Sequence, residues 1–158
     1  MKVILNYLVV MATVAAASAW AAGGGGESAP VTPEDPVIEK TRGAIAGQDW
    51  KQAQEIVREG LAKNPANADY HNLFAYSIRM GANPQMDLVF RHYNEALRLD
   101  GNHRGAHEYL GEAYLMTGNL AKAKDHLKVL DRLCVLPCKE YTMLKKAVAE
   151  YEAKQAPK

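Results

Sequence analysis

The chain has 158 residues, a length that suits a single domain. Its 19 Lys and Arg residues nearly balance its 18 Asp and Glu residues, and it has no basic tract, which argues against a nucleic-acid partner. After the N-terminal segment no stretch is long and apolar enough to cross a bilayer, so we expect no membrane span once that segment is removed.

Residues 1–21 have the pattern of a secretory signal peptide. Lys2 provides a short positive region, and the run from Val3 to Ala17 is almost wholly apolar. Two overlapping triplets at its end fit the small-x-small rule for cleavage: Ala17-Ser18-Ala19 and Ala19-Trp20-Ala21. The alternative is an uncleaved membrane anchor, but the apolar run is short for that purpose. We therefore predict export to a bacterial periplasm, with secretion beyond it left open.

Residues 22–34 differ in composition from the rest of the chain. They contain four consecutive glycines and two prolines. Such a segment is flexible and buries little apolar surface. We predict a disordered linker, whose only role could be to expose the cleavage site.

The first helical repeat is predicted over residues 35–65. Asp35 can cap a helix that has Pro36 at its first position, where the missing N–H does no harm. Gly47-Gln48-Asp49 interrupts the apolar stripe of this helix. A second helix is indicated by the apolar residues that recur at helical spacing from Trp50 to Leu61.

A second repeat is predicted over residues 66–101, with an insertion in its turn. Leu73 and Leu110 lie 37 residues apart, whereas a helix-pair repeat of the commonest kind has a period of about 34 residues. The difference predicts a three-residue insertion. Asn83 and Pro84 fit the cap and first-turn positions of the helix that follows it.

A third repeat over residues 102–135 and a last helix over 137–153 complete the predicted domain. The two helical patterns of this repeat face each other across Gly118-Asn119. Gly111 and Ala123 are small enough to allow two helices to approach closely. The last helix has one apolar and one charged face, as expected of a helix that ends an array. Residues 155–158 should form a frayed, disordered tail.

The third repeat resembles a tetratricopeptide (TPR) repeat. The residues that carry the resemblance follow the family pattern of both helices and the turn: Leu110, Gly111, Tyr114, Gly118, Ala123, Leu127 and Leu130. The resemblance implies an all-α, antiparallel helix-pair TPR solenoid over residues 35–154, with about three repeats and a C-terminal capping helix. The block from Glu108 to Glu112 and the paired cysteines are also similar to small exported TPR proteins of proteobacteria. When the second repeat is aligned with the TPR pattern, Phe74 stands where the family has a small residue.

The chain has two cysteines, Cys134 and Cys138, on either side of Pro137. In an oxidising compartment a nearby pair usually forms a disulfide, which here would join the third repeat to the last helix. A redox or metal-binding thiol pair remains an alternative, although the spacing is one residue longer than in Cys-x-x-Cys and no strands are predicted.

The remaining candidate residues do not predict catalysis. His103 and His107 are four residues apart and can share a helix face, but the Glu of the His-Glu-x-x-His motif is absent. We interpret them as packing or exposed residues, and the other histidines as scattered. With no nucleophile constellation and no phosphate loop, we predict no enzyme activity, no metal site and no cofactor.

In TPR arrays the first helices of successive repeats line a concave groove. The resemblance places these residues on the partner-binding face: Arg42, Ile45, His71, Ala75, Ile78, Arg79, Glu108, Glu112, Leu115 and Met116. We expect Ile78, Leu115 and Met116 to be exposed apolar anchors. At the positions of the chaperone-tail carboxylate clamp only Asn72 agrees with the family, so we predict no such clamp.

The predicted function is that of a non-enzymatic adaptor, which binds a peptide or another cell-envelope protein through this concave face. Two alternatives remain open. One is a thiol redox or metal-handling protein that uses the two cysteines, and the other is a self-associating structural module.

Overall fold

The computed structural model describes residues 35–156, which form seven α-helices and no β-strand. The helices are α1 Pro36–Ala46, α2 Trp50–Lys63, α3 Ala68–Arg79, α4 Met86–Leu99, α5 Arg104–Met116, α6 Leu120–Leu133 and α7 Lys139–Gln155. The predicted all-α fold is therefore confirmed. The predicted signal peptide and linker lie outside the described residues.

The helices form three hairpins, α1 with α2, α3 with α4 and α5 with α6. Each later first helix also packs on the hairpin before it, so that α3 contacts α1 and α2, and α5 contacts α3 and α4. The final helix α7 contacts α5 and α6 in the same way. The result is a helix-pair solenoid that ends in an unpaired helix.

Short polar side chains begin most of these helices. Asp35 accepts a hydrogen bond of 2.8 Å from the backbone N–H of Val37, with Pro36 at the first helical position as predicted. Asp49, Asn67 and Asn119 cap α2, α3 and α6 in the same manner. Each cap satisfies one of the backbone donors that a helix N-terminus leaves free.

The predicted register of the second repeat is wrong by one residue. The N-caps of α3 and α5, Asn67 and His103, are 36 residues apart, so Phe74 corresponds to Leu110. The small family position is occupied by Ala75, which is fully buried. Leu73 packs in the core of the first repeat instead.

The insertion in the second repeat is two residues long, not three. The N-caps of α4 and α6 are 34 residues apart, whereas those of α3 and α5 are 36 apart. The extra residues lie in the bends at 81–83. The fourth helix begins at Met86 with Gln85 as its N-cap, so Asn83 and Pro84 do not have the capping roles predicted for them.

Three apolar clusters follow one another along the array. The central cluster unites α3, α4 and α5 around the fully buried side chains of Tyr93 and Leu110. The last cluster unites α6 and α7 around Leu130 and Leu144. At Gly111 the helices α5 and α7 approach so closely that a Cβ atom would lie 2.6 Å from Cδ2 of Leu144. The predicted close approach at this glycine is therefore present.

The Cys134–Cys138 disulfide joins the C-cap of α6 to the N-cap of α7, with 5.7 Å between the two Cα atoms. Between the two cysteines, Val135 and Leu136 are almost fully exposed. The last helix extends to Gln155, one residue into the predicted tail. None of the helices within 35–156 has the length and apolar character of a membrane span.

Candidate functional site

A polar cleft of about 510 Å³ opens where the N-terminal ends of α3, α5 and α7 meet on the face formed by the first helices. Asp69 and Asn72 of α3 line it, together with Glu108 of α5 and Lys139 and Glu140 of α7. Because Cys138 is the N-cap of α7, the disulfide anchors the residues that bring Lys139 and Glu140 to the cleft. We call this feature the polar cleft.

His103 links two of the helices that line the polar cleft. Its Nδ1 accepts a hydrogen bond of 3.1 Å from the backbone N–H of Ala106, so a neutral ring carries its proton on Nε2. That Nε2 lies 3.2 Å from Oδ1 of Asp69 and donates to it. This hydrogen bond lowers the pKa of the Asp69 carboxyl. The side chain that caps α5 thus also holds α3 beside it.

Asn72 and Glu108 occupy equivalent positions on successive first helices and are both buried, with 6% and 5% of their surface exposed. The side-chain carbonyl oxygen of Asn72 has no hydrogen-bond partner within residues 35–156. Glu108 makes no hydrogen bond or ion pair with any residue that the structure describes. Burial, followed by the nearby carboxylates of Glu112 and Glu140, raises the pKa of Glu108 to about 7.

Arg79 is held in a buried cage rather than facing the cleft. Its Nη2 donates to Oε2 of Glu112 at 2.8 Å, and its Nε lies 3.3 Å from the hydroxyl oxygen of Tyr93. Its guanidinium carbon is 5.4 Å and 5.6 Å from the ring centroids of Tyr76 and Tyr109. These contacts join the second repeat to the third, so Arg79 has a structural role.

The structure distributes the ten predicted groove residues over several environments. Arg42 and Glu108 line the polar cleft. Four are buried elsewhere, namely His71, Ala75, Ile78 and Arg79. Ile45 and Leu115 pack partly buried against the core, and Glu112 pairs with Arg79. Met116 is exposed, as expected, but Ile78 is only 7% exposed, so the prediction of an exposed anchor there is wrong.

The one-residue slip in register explains the misplaced residues of the second repeat. The prediction aligned His71 with Glu108 and Ile78 with Leu115, whereas the helices align Asn72 with Glu108. One residue corresponds to about 100° of rotation around a helix, which carries an outward position into the core. In the corrected alignment Met80 matches Met116, and both are exposed.

Four histidines form two equivalent pairs: the three that the sequence analysis interpreted as scattered, and His107, which it had considered together with His103. Nδ1 of His71 lies 2.8 Å from Nδ1 of His92, and Nδ1 of His107 lies 2.9 Å from Nδ1 of His126. Correct register would have revealed the repetition, since the pairs are related by the 36- and 34-residue offsets of the two hairpins. Sequence reasoning missed them because the slipped alignment matched His71 to Glu108.

The tautomers of each pair follow from a backbone carbonyl. Nε2 of His71 contacts the Pro65 oxygen at 2.9 Å, and Nε2 of His107 contacts the Gly101 oxygen at 3.1 Å. A carbonyl only accepts, so these nitrogens carry the protons, and the Nδ1 atoms of His71 and His107 accept from their partners. Each pair joins a first helix to its second helix and to the preceding turn.

His103 and His107 therefore have different roles. His103 caps α5 and contacts Asp69, whereas His107 is buried against His126. The two side chains therefore do not form a joint ligand pair. Within 35–156 no group of three or more His, Cys, Asp or Glu residues is arranged to hold a metal ion.

Comparison with solved structures identifies the fold. The chain is similar to the Yersinia enterocolitica type III secretion chaperone SycD in complex with a peptide of the translocator YopD (14% identity, TM-score 0.62, covering 76% of this chain and 92% of SycD). It is also similar to the Arabidopsis OM64 TPR domain (19%, TM-score 0.63, 73% and 93%). A third similar structure is the second TPR domain of human RPAP3 in complex with an HSP70 peptide (22%, TM-score 0.60, 70% and 91%).

No family model and no curated protein matches the chain. The similar solved structures are TPR domains and TPR-like chaperones, and they cover 70–76% of this chain. The chain therefore has a TPR-like helix-pair solenoid fold, as the residues of the third repeat predicted.

Proposed function

We propose that this chain is a non-enzymatic adaptor that binds a segment of another protein in the polar cleft. One observation carries the proposal: the open cleft is lined by Asn72 and Glu108, two buried polar side chains whose hydrogen-bonding capacity is unused within the described residues. Buried polar residues in folded proteins are normally hydrogen-bonded, and a chain bound in the cleft would supply the missing partner of Glu108. SycD and the RPAP3 domain, which share the fold, bind peptides of other proteins.

We also propose that the protein acts in the cell envelope, after export to the periplasm. The apolar run and the small-residue triplets of residues 1–21 support export, and a disulfide is compatible with an oxidising compartment. Mass spectrometry of the protein from a periplasmic extract should identify a new N-terminus after Ala19 or Ala21. Recovery of the chain with Met1 intact and only in the cytoplasm would contradict this proposal.

Photocrosslinking from the cleft tests the adaptor function. A benzoylphenylalanine residue replaces Arg104, an exposed residue that lines the polar cleft. The matched control position is Glu55, an exposed residue of α2 that does not line it. Arg79, although predicted on the binding face, is unsuitable because it is buried.

The expected result is a heterologous crosslink from position 104 that is absent from position 55 and weakens when Glu108 is replaced by Lys in the same chain. Identical products from both positions would show nonspecific contact and contradict the proposal. A crosslinked homodimer alone would favour the self-associating module instead.

A further inference from the structure

Two side chains that line the polar cleft, those of Asn72 and Glu108, have acceptor oxygens without a hydrogen-bond partner among the described residues. Among the described residues the Asn72 side-chain oxygen is buried without a partner, and Glu108, a buried residue whose carboxylate oxygens are not themselves fully enclosed, forms no hydrogen bond. A Cβ on Gly105 would lie only 3.4 Å from Nδ2 of Asn72, so the small residue of α5 lets the two helices close around this amide. The Asn72 oxygen is enclosed by the protein, whereas Glu108 presents an acceptor without a protein partner to the open cleft.

Arg42, Arg104 and Lys139 line the cleft together with Glu108, but no ion pair joins Glu108 to a cation among the described residues. Arg79 donates its charged hydrogen bond to Glu112, and Lys139 is exposed and forms no ion pair with Glu108. The negative charges of Glu112 and Glu140 raise the pKa of Glu108, and the positive charges of Lys139 and Arg79 oppose this effect. A buried carboxylate in this setting is stabilised most by a cation that can also donate hydrogen bonds.

A metal ion does not fit this requirement. No group of three or more potential metal ligands is present among residues 35–156, and a hard cation needs six or more oxygen ligands or retained waters. A Lys or Arg side chain differs, because it brings one charge, several donors and an apolar stem. The apolar ring of Tyr109 also lines the cleft and offers a surface for such a stem.

We propose that the polar cleft recognises a basic residue of its protein partner, whose Lys or Arg side chain donates to Glu108. This inference rests on the proposed adaptor function and specifies the chemical class of its partner. Arg42, Arg104 and Lys139 also line the cleft, so the inference places the partner's cation at Glu108 itself, whereas a carboxylate clamp would bind a partner's carboxylate through basic residues.

The test selects peptides from a phage-displayed random library on three purified proteins. These are the unaltered full chain, the Glu108→Gln variant and the Glu55→Gln variant. Glu55 is an exposed residue of α2 outside the cleft, so it controls for the loss of one negative charge. The full chain and Glu55→Gln should enrich peptides that share a Lys or Arg at one position. Glu108→Gln should lose that preference.

Affinity measurements on one selected peptide then separate binding from folding. Replacing its basic residue with norleucine should weaken binding to the full chain about tenfold or more, because a charge-assisted hydrogen bond is lost. The same peptide change should have little further effect on Glu108→Gln. This peptide substitution leaves the protein intact, so a folding defect of the variant cannot mimic the result.

Each outcome decides a different claim. Peptides that bind the cleft without a shared basic residue, or a norleucine peptide that binds as well as its parent, would overturn the basic-residue inference and leave the adaptor function in place. A library that yields no peptide specific to the full chain would overturn the adaptor function and this inference with it.

Discussion

Replacement of Gly111 by Ala tests how the array ends. In this variant the new methyl group would lie 2.6 Å and 2.8 Å from Cδ2 and Cδ1 of Leu144, well inside the usual carbon contact distance of about 3.5–4.0 Å. Leu144 is fully buried, so it cannot move aside into solvent. Overpacking of this kind costs about 1–3 kcal/mol, whereas Ala in place of Gly within a helix gains about 0.5–1 kcal/mol.

The net expectation is a loss of about 1–2 kcal/mol in the free energy of unfolding, measured by urea titration with far-UV circular dichroism. Gly43 provides the matched control, because a Cβ built there would meet no atom of the described residues within 4 Å, apart from its chain neighbours and the nearby backbone of its own helix. Gly43→Ala should therefore stabilise the protein by about 0.5–1 kcal/mol. The two substitutions are chemically identical and should have opposite signs.

A second pair of variants tests whether contact with Leu144 is the cause. The Leu144→Ala variant lacks the contacting atoms, so adding Gly111→Ala to it should stabilise the protein relative to Leu144→Ala alone. If Gly111→Ala stabilises the otherwise unaltered chain, or costs the same amount in both backgrounds, the close packing of α5 against α7 is not the reason for the glycine. The position of Lys139 and Glu140 at the cleft would then need another explanation.

Burial lowers the pKa of both His92 and His126 to about 4. As the pH decreases from 6.5 toward 4, the unfolded chain therefore takes up protons before the folded chain does, and the free energy of unfolding should fall. NMR titration of the two rings checks this, and midpoints near 6.5 would be inconsistent with the paired arrangement. Gln48 has a φ of 58°, so Gln48→Gly should stabilise by about 1 kcal/mol in thermal unfolding, and a loss of stability would refute the left-handed turn. Replacing Cys134 and Cys138 by Ser should lower the free energy of unfolding by about 2 kcal/mol, as loop entropy predicts for so short a loop. No change in urea unfolding would argue against the crosslink.

The sequence was sufficient to predict the fold because the third repeat combines several independent signals. Gly111 and Gly118 mark a close approach and a turn, and the structure has the approach at the first and a φ of 79° at the second. These constraints are local, and a helix pair has few other ways to bury its apolar stripe. The position of the disulfide at the junction before the last helix followed from the same reasoning.

The groove was harder to predict because it depends on absolute register. Leu73 and Phe74 are both apolar, so periodicity alone permits either of them to match Leu110, and the two choices differ by about 100° of rotation. The matching histidines would have decided the question, since His71 aligns with His107 only in the correct register. The contribution of Lys139 was also hidden, because it depends on where α7 begins.

The most direct test of the central claim is chemical-shift mapping on the ¹⁵N-labelled chain with a peptide selected from the random library. Binding in the polar cleft should shift the backbone resonance of Gly105 and the side-chain amide of Asn72, while Leu127 and Val148, which line a separate apolar groove between α6 and α7, remain unchanged. Shifts confined to that apolar groove, with Gly105 and Asn72 unaffected, would contradict the assignment of the binding site.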